Sequence, residues 1–331
     1  MSTLLEVKNL NMHFPIRGGL MKRKVGHVYA VNDVSFSLEA GETFGVVGES
    51  GCGKSTLGRT LVRLYDPTSG QVLFRGQDIA SLSKTELKEF RRQIQMVFQD
   101  PYASLNPRMT IADILEEPFL LHGIGTPEER KKKVRELLQL VGLRLSDINK
   151  FPHEFSGGQR QRIGIARALT LNPSLIVCDE AVSALDVSIQ AQILNLLIEL
   201  QKTFKLTYIF ISHDLNVVRY ISDRVAVMYL GRVMELAKSS DIYARPHHPY
   251  TQALLGSAPK PDPRKNKAIE VLEGDVPSPS RPPSGCPFHT RCRHVQDRCK
   301  AERPALKPLN HDASHMVACH FAEQLQKEAL H

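Results

Sequence analysis

The sequence predicts an α/β protein built on a parallel sheet, and three observations predict it. Short, wholly apolar runs such as "SLIVCDE" and "LTYIFISHD" read as strands buried on both faces. They alternate with longer stretches of helical periodicity such as "SIQAQILNLLIELQKTF". One apolar run, "TFGVV", passes directly into the glycine-rich "GESGCGKST" and then into helical spacing.

Taken in order, "LLEVKNLNMHF" and "VYAVNDVSFSL" alternate like strands, with the basic, glycine-bearing "PIRGGLMKRKVGH" expected as a loop between them. Residues 57 to 65 read as the helix after the glycine loop, "GQVLFRGQDI" as a hairpin, and "RRQIQMVFQD" as a turn around a short buried strand. From 110 to 152 the pattern is helical, and "SGGQRQRIGIARAL" opens on glycines before settling into helical spacing. An inserted helical subdomain is expected at about 105–160. After residue 255 the composition shifts. "APKPDPRKNK" and "VPSPSRPPSG" read as linker and extended chain, followed by four cysteines.

Composition narrows the classes. The 331 residues are 42% hydrophobic, enough for real cores, yet the longest apolar runs are too short to span a bilayer. The start "MSTLLEVKNL" lacks a basic-then-apolar leader, so a cytoplasmic location is expected. The net charge of +8 is spread over interleaved signs, as in "EERKKKVRE", which reads as solvated helix surface; no nucleic-acid partner is expected.

"GESGCGKST" matches G-x-x-x-x-G-K-[ST]. Its mechanism is a loop whose amides cradle phosphate, with a helix N-terminus behind. Gly48, Glu49, Ser50, Gly51, Cys52, Gly53, Lys54, Ser55 and Thr56 are the candidate phosphate-loop residues. Lys54 reaches β- and γ-phosphates and the Ser55 hydroxyl reaches Mg²⁺. Asp179 and Glu180 close an apolar strand; the first acid suits Mg²⁺ and the second an attacking water. Two acids at a strand end are equally a simple cap, so context decides. Ser156, Gly157, Gly158 and Gln159 open a helix whose free amides suit a second phosphate. Asp186 ends "SALD", His213 sits in "ISHD", and Gln99 ends "MVFQ", where its amide suits Mg²⁺ or the lytic water.

In this order these segments resemble an ATP-binding cassette (ABC) ATPase over residues 1 to about 255. The resemblance implies a P-loop, RecA-like core, an antiparallel β subdomain and an inserted α-helical subdomain. It assigns Walker A to Gly48–Thr56, Walker B to "LIVCDE", the signature to "FSGGQ", the D-loop to "SALD", the Q-loop to Gln99 and the switch histidine to His213. Glu180, His213 and Gln99 become the catalytic candidates, Ser55, Gln99 and Asp179 the Mg²⁺ ligands, and Phe14 the adenine-stacking ring, with Tyr29 as alternative. Phe155 stands where leucine is usual and Ala181 where proline is usual; neither removes a phosphate ligand.

"QDPYASLNPRMTI", "MYLGRVMEL", "HPYTQALL" and the tail "LEGDVPSPSRPPSGCPFHTRC" narrow the resemblance to ATPase subunits of dipeptide and oligopeptide importers, of the F type of the two unequal ATPases. Residues 256–331 are then a Cys-containing C-terminal extension of that kind. The resemblance implies ATP-driven pairing with a second ABC ATPase subunit, a heterodimer being expected. It also implies two transmembrane permease subunits, an extracytoplasmic peptide-binding protein reached indirectly, and a peripheral position on the cytoplasmic face of the membrane. Importers of nickel, glutathione and other peptide-like solutes share these motifs. A soluble ABC ATPase acting on DNA or ribosomes fits less well, because no long coiled coil and no second cassette is present. "NKFPHEF" before the signature lacks the glutamate-rich character of exporters.

Cys286, Cys292, Cys299 and Cys319 crowd the tail without a C-x-x-C knuckle, which disfavours a structural zinc site. A [4Fe–4S] cluster takes ligands from irregular loops, and the resembling importer ATPases hold one in such a tail. Zn²⁺, with His289 or His320, and four unlinked thiols are the alternatives.

Overall fold

A computed structural model describes residues 2–19, 23–257, 274–310 and 312–329. The linker expected at 258–267 lies outside the described residues. The chain opens with β1 (Thr3–Gly18), β2 (Arg23–Glu39), β3 (Thr43–Val47) and α1 (Lys54–Leu61). The hairpin β4 (Ser69–Phe74) and β5 (Gln77–Asp78) follows, then α2 (Lys84–Gln93) and β6 (Ile94–Val97). Helices α3 (Pro101–Ser104), α4 (Ile111–His122), α5 (Pro127–Leu140) and α6 (Gly157–Leu169) lead to β7 (Leu175–Asp179). Next come α7 (Val187–Phe204), β8 (Thr207–Ile211), α8 (Leu215–Ile221), β9 (Arg224–Tyr229) and β10 (Arg232–Lys238). The chain closes with α9 (Ser239–Ala244), α10 (Pro249–Gly256), α11 (Asp297–Ala301), β11 (Lys307–Leu309), β12 (Asp312–Val317) and α12 (Ala322–Ala329).

The chain divides into two compact units. The first is built mainly on Ser81–Ile211. Its strands β6, β7 and β8 run parallel, with Val97 opposite Cys178 and Asp179 opposite Ile211. Every residue of β7 and β8 is buried, as their apolar runs require, and Asp179 and Thr207 at the strand ends are buried with them. Burying one such Ile or Val side chain contributes about 1.5–3 kcal/mol. The helices of this unit start where the sequence supplies caps. Thr110, Thr126 and Ser156 each accept from the amide three residues on, and the side chain there returns the bond.

The second unit combines Thr3–Leu38, Thr43–Ala80 and the described residues from Ser212 onward. One sheet has the strand order β2-β1-β4-β5, with β1 antiparallel to β4 (Leu5 opposite Phe74). The expected basic loop is shorter than the sequence suggested: β1 continues to Gly18 and β2 begins at Arg23. Pairing between neighbouring strands carries the backbone through a stretch of weak strand propensity. In the other sheet β3 runs parallel to β9, and β9, β10, β12 and β11 continue antiparallel. The tail therefore does more than extend: β12 adds a strand to β10, with Glu235 opposite Val317. A small apolar cluster of Leu309, Val317 and Ala322 holds it there, with Cys319 packed against it.

The joint between tail and sheet is polar as well. Glu235 on β10 is fully buried. Its Oε1 accepts from the His247 amide at 2.7 Å and pairs with His315 Nε2 of β12 at 2.7 Å, while Oε2 accepts from the His248 amide at 3.0 Å. Burial alone would push this carboxyl up; the bond from His315, the Thr251 hydroxyl and the two amides outweigh it and hold the pKa below the usual carboxylate value.

Candidate functional site

The phosphate-loop residues lie between β3 and α1, in the second unit. Two glycines are required by space and backbone angle together. Gly48 has φ +152, and a Cβ there would stand 2.2 Å from the Met228 carbonyl oxygen. Gly53 has φ +103, caps α1 in the left-handed region, and a Cβ would stand 1.9 Å from the Ala30 oxygen. Lys54, only 4% exposed, folds back over the loop, its Nζ donating to the carbonyls of Gly48 (2.8 Å) and Glu49 (3.0 Å). Ser55 and Thr56 follow in the first turn of α1. Cys52 is buried, and desolvation pushes its thiol pKa up, so it is a packing residue and not a nucleophile.

Glu49 is held from outside the motif. Its amide donates to the Tyr250 hydroxyl at 2.9 Å, and its carboxylate receives both Nη atoms of Arg291 at 2.6 and 3.1 Å. Neither partner carries a local sequence signal of this role; each is set by the tertiary fold.

In the first unit the structure brings Gln99 and Glu180 together: Gln99 Nε2 donates to Glu180 Oε2 at 2.8 Å. Asp179 is fully buried at the end of β7. Glu180 takes the left-handed conformation, φ 48, with its amide donating to the Ile211 carbonyl. A non-glycine residue in that region costs on the order of 1–3 kcal/mol and concentrates at functional sites. Gln99 is exposed, and the next residue, Asp100, caps α3 through bonds from the Tyr102 and Ala103 amides. Arg167 of α6 fixes the segment after Gln99 by donating to the Ser104 carbonyl at 2.6 Å.

At the start of α6, Ser156 and Gln159 form a reciprocal capping box. Gly157 and Gly158 follow; a Cβ on Gly158 would meet Ile189 of α7 at 2.4 Å. That glycine thus also permits close helix packing. Asp186 stands at the N-cap of α7, in the same unit. His213 is exposed between β8 and α8 and belongs to the second unit, as do Phe14 and Tyr29. Phe14 meets Tyr65 edge-on at 5.3 Å, and Tyr29 meets His13 at 4.8 Å. Phe155 and Ala181, the two departures from usual residues, are both buried.

Cys286, Cys292, Cys299 and Cys319 line one small cavity closed by Phe288, Phe321 and Leu325. All four are free thiols. Burial, reinforced by the neighbouring thiols, pushes the Cys286 thiol up to about 12 and that of Cys319 to about 11. Among the described residues no group of three or more His, Cys, Asp or Glu side chains is placed to hold a metal ion, which supports neither the cluster nor the zinc alternative. The four cysteines share one cavity, but nothing in their arrangement singles out a cluster.

Two glycine-led helix starts in one chain, one with the lysine of a phosphate loop and one with a serine cap, are the division of labour of ABC ATPases. The ABC transporter family profile matches residues 31–183, and that of the oligopeptide/dipeptide transporter C-terminal region matches 234–299. The oligopeptide transport ATP-binding protein AppF of Bacillus subtilis (strain 168) is 61% identical over 322 residues, 96% of this chain and 97% of the relative. The probable peptide ABC transporter ATP-binding protein y4tS of Sinorhizobium fredii is 56% identical, over 96% of this chain and 89% of its own length. Among solved structures, the ATP-binding cassette MJ0796, a dimer in a post-hydrolysis state bound to ADP and Pi, aligns with TM-score 0.63 at 32% identity, covering 71% of this chain and 98% of that one. The chain belongs to the ATP-binding-cassette ATPases of the dipeptide/oligopeptide transporter type.

Proposed function

We propose that this ATPase powers import of di- and oligopeptides. The observation that supports this most is the second profile match, over residues 234–299, beside peptide-transport relatives that align along nearly the whole chain. In this reading residues 1–255 form the cassette and 256–331 the extension. The loop Gly48–Thr56 with Lys54 would hold the phosphates, Ser55, Gln99 and Asp179 would be the Mg²⁺ ligands, and Phe14 would stack on adenine. Glu180 would orient the attacking water with Gln99 on Mg²⁺ or that water, and His213 would contact the γ-phosphate. Ser156, Gly157, Gly158, Gln159 and Asp186 serve an ATP held by a second cassette, so that two nucleotides close a head-to-tail pair. Hydrolysis removes the phosphate that joins the two faces, and the pair reopens.

No helix among the described residues is long and apolar enough to cross a membrane. The likeness to peptide-transport ATP-binding proteins supports a path in separate permease subunits, fed by an extracytoplasmic peptide-binding protein, with this chain peripheral on the cytoplasmic side. The segment from Gln99 to Pro107 is the proposed receiver of a permease helix. Arg167 ties it to α6, so movement at the signature reaches it mechanically. Vesicles holding the permeases, both cassettes and the binding protein are expected to take up peptide only with Mg·ATP. ATP-driven uptake of nickel chelates or glutathione without peptide uptake would overturn the peptide assignment.

The four tail cysteines are proposed to hold a [4Fe–4S] cluster that fixes the tail, apart from hydrolysis. Anaerobically purified protein is expected to be brown with about four irons per chain, and Cys292→Ser to bleach it while ATP binding persists. A colourless anaerobic preparation without iron would exclude the cluster.

A further inference from the structure

We propose that Arg291, in the tail, is a positioning residue of the nucleotide site: it neutralises Glu49 inside the phosphate loop and so sets the affinity for ATP. The proposal rests on the reading of Gly48–Thr56 as that loop. An acid at the second position of an anion-binding loop is an electrostatic conflict, because its carboxylate opposes the phosphates that the loop amides attract. The structure resolves the conflict with one side chain. Arg291 grips both oxygens of Glu49, at 2.6 and 3.1 Å, the two-pronged arrangement that a planar guanidinium forms with a carboxylate.

The arginine side chain is itself 5% exposed, and the Glu49 side chain 21%, so water screens the pair weakly. Arg291 lies 6.0 Å over the Tyr229 ring and donates to its hydroxyl at 3.5 Å. Tyr229, Tyr250 and Phe288 pack against one another with centroids 4.8 to 5.4 Å apart, giving the guanidinium a rigid aromatic floor. The same floor supplies the Tyr250 hydroxyl that accepts from the Glu49 amide. Glu49 is thus fixed at main chain and side chain by residues about 200 and 242 positions downstream. Its carbonyl meanwhile accepts from Lys54 Nζ at 3.0 Å, so the loop lysine and the tail arginine share one anchoring residue. Arg291 alone, and not the cysteines beside it, in this way ties the tail to the phosphate loop.

The test is Mg·ATP binding to the purified full chain by equilibrium dialysis. Arg291→Gln is expected to weaken binding about tenfold, because Glu49 then faces the phosphates uncompensated. Adding Glu49→Gln to Arg291→Gln is expected to regain most of that loss. Arg291→Lys, which keeps the charge and loses the fork, is expected to fall between. If Arg291→Gln binds as the unsubstituted chain does, the proposal is wrong. It is equally wrong if the double substitution regains nothing, since a purely mechanical tie cannot be restored by removing its second half. Should Arg291→Gln fail to fold, Arg291→Lys decides: binding above the unsubstituted affinity, or no binding from a folded chain, overturns charge compensation. Lys54→Ala serves as the reference. If it leaves ATP affinity intact, the phosphate-loop reading itself fails, an outcome separate from the Arg291 result.

Discussion

Glu180→Gln is expected to lower ATP hydrolysis at this chain's site by about 10²–10⁴-fold, the usual contribution of a positioned general base, with ATP affinity nearly unchanged. The substitution is close to isosteric, so the left-handed backbone at φ 48 and the amide bond to Ile211 have no reason to move. The Gln99 amide, 2.8 Å from Glu180 Oε2, still finds an acceptor in the new side chain. What disappears is the negative charge that draws a proton from water. The phosphate contacts proposed for Lys54 and the loop amides are untouched. The measurement is phosphate release by the assembled transporter whose partner cassette carries the equivalent neutralised acid, with ATP binding read in parallel. Turnover at the unsubstituted rate would remove Glu180 from this role. Joint loss of binding and turnover would instead mean that the loop after β7 had been disturbed.

The site was legible in the sequence wherever the chemistry is local. Gly48 and Gly53 declare themselves because their backbone angles and clashing neighbours admit no side chain. The cap formed by Ser156 and Gln159 is written in a spacing of three. Strands β3, β7 and β8 are apolar through their middles because both faces are covered. The rest depends on partners distant along the chain. Nothing near Arg291 tells that it will meet Glu49, 242 residues earlier. Nothing in "RVMELAK" tells that its acid is buried beneath two histidine amides and an imidazole 80 residues on. Pro15–Gly18 reads as loop by composition, yet it is strand because a neighbouring strand pairs with it. Nothing in the Pro- and Cys-rich tail announces its late strand, since β12 rests on its pairing with β10.

Glu235→Ala is expected to be the most destabilising single change outside the ATP site, lowering stability by about 3–5 kcal/mol. Three donors lose their acceptor at once: the amides of His247 and His248 and the ring of His315, all within the buried joint. None reaches water without opening the contact between β10 and β12, so each pays a desolvation penalty. Thermal unfolding of the full chain should shift down by on the order of 10 °C, with Glu235→Gln falling less because one oxygen still accepts. The same joint fixes an acid limit. Burial holds His248 neutral and lowers its pKa to about 4, against the attraction of Glu235. Its Nδ1 accepts from the Tyr250 amide, which protonation would forbid. A histidine with a lowered folded pKa contributes stability that is fully present above its unfolded value near 6.5 and is lost as pH falls toward about 4. Glu235, whose folded pKa is also lowered, adds stability present above its unfolded value and lost as pH falls further. Stability should therefore decline on the acid side from about pH 6.5, and hydrogen exchange should rise first at Met316–Ala318 and around Tyr250. An unchanged melting temperature for Glu235→Ala, or a chain equally stable at pH 7 and pH 4.5, would show that this joint does not hold the tail to the sheet.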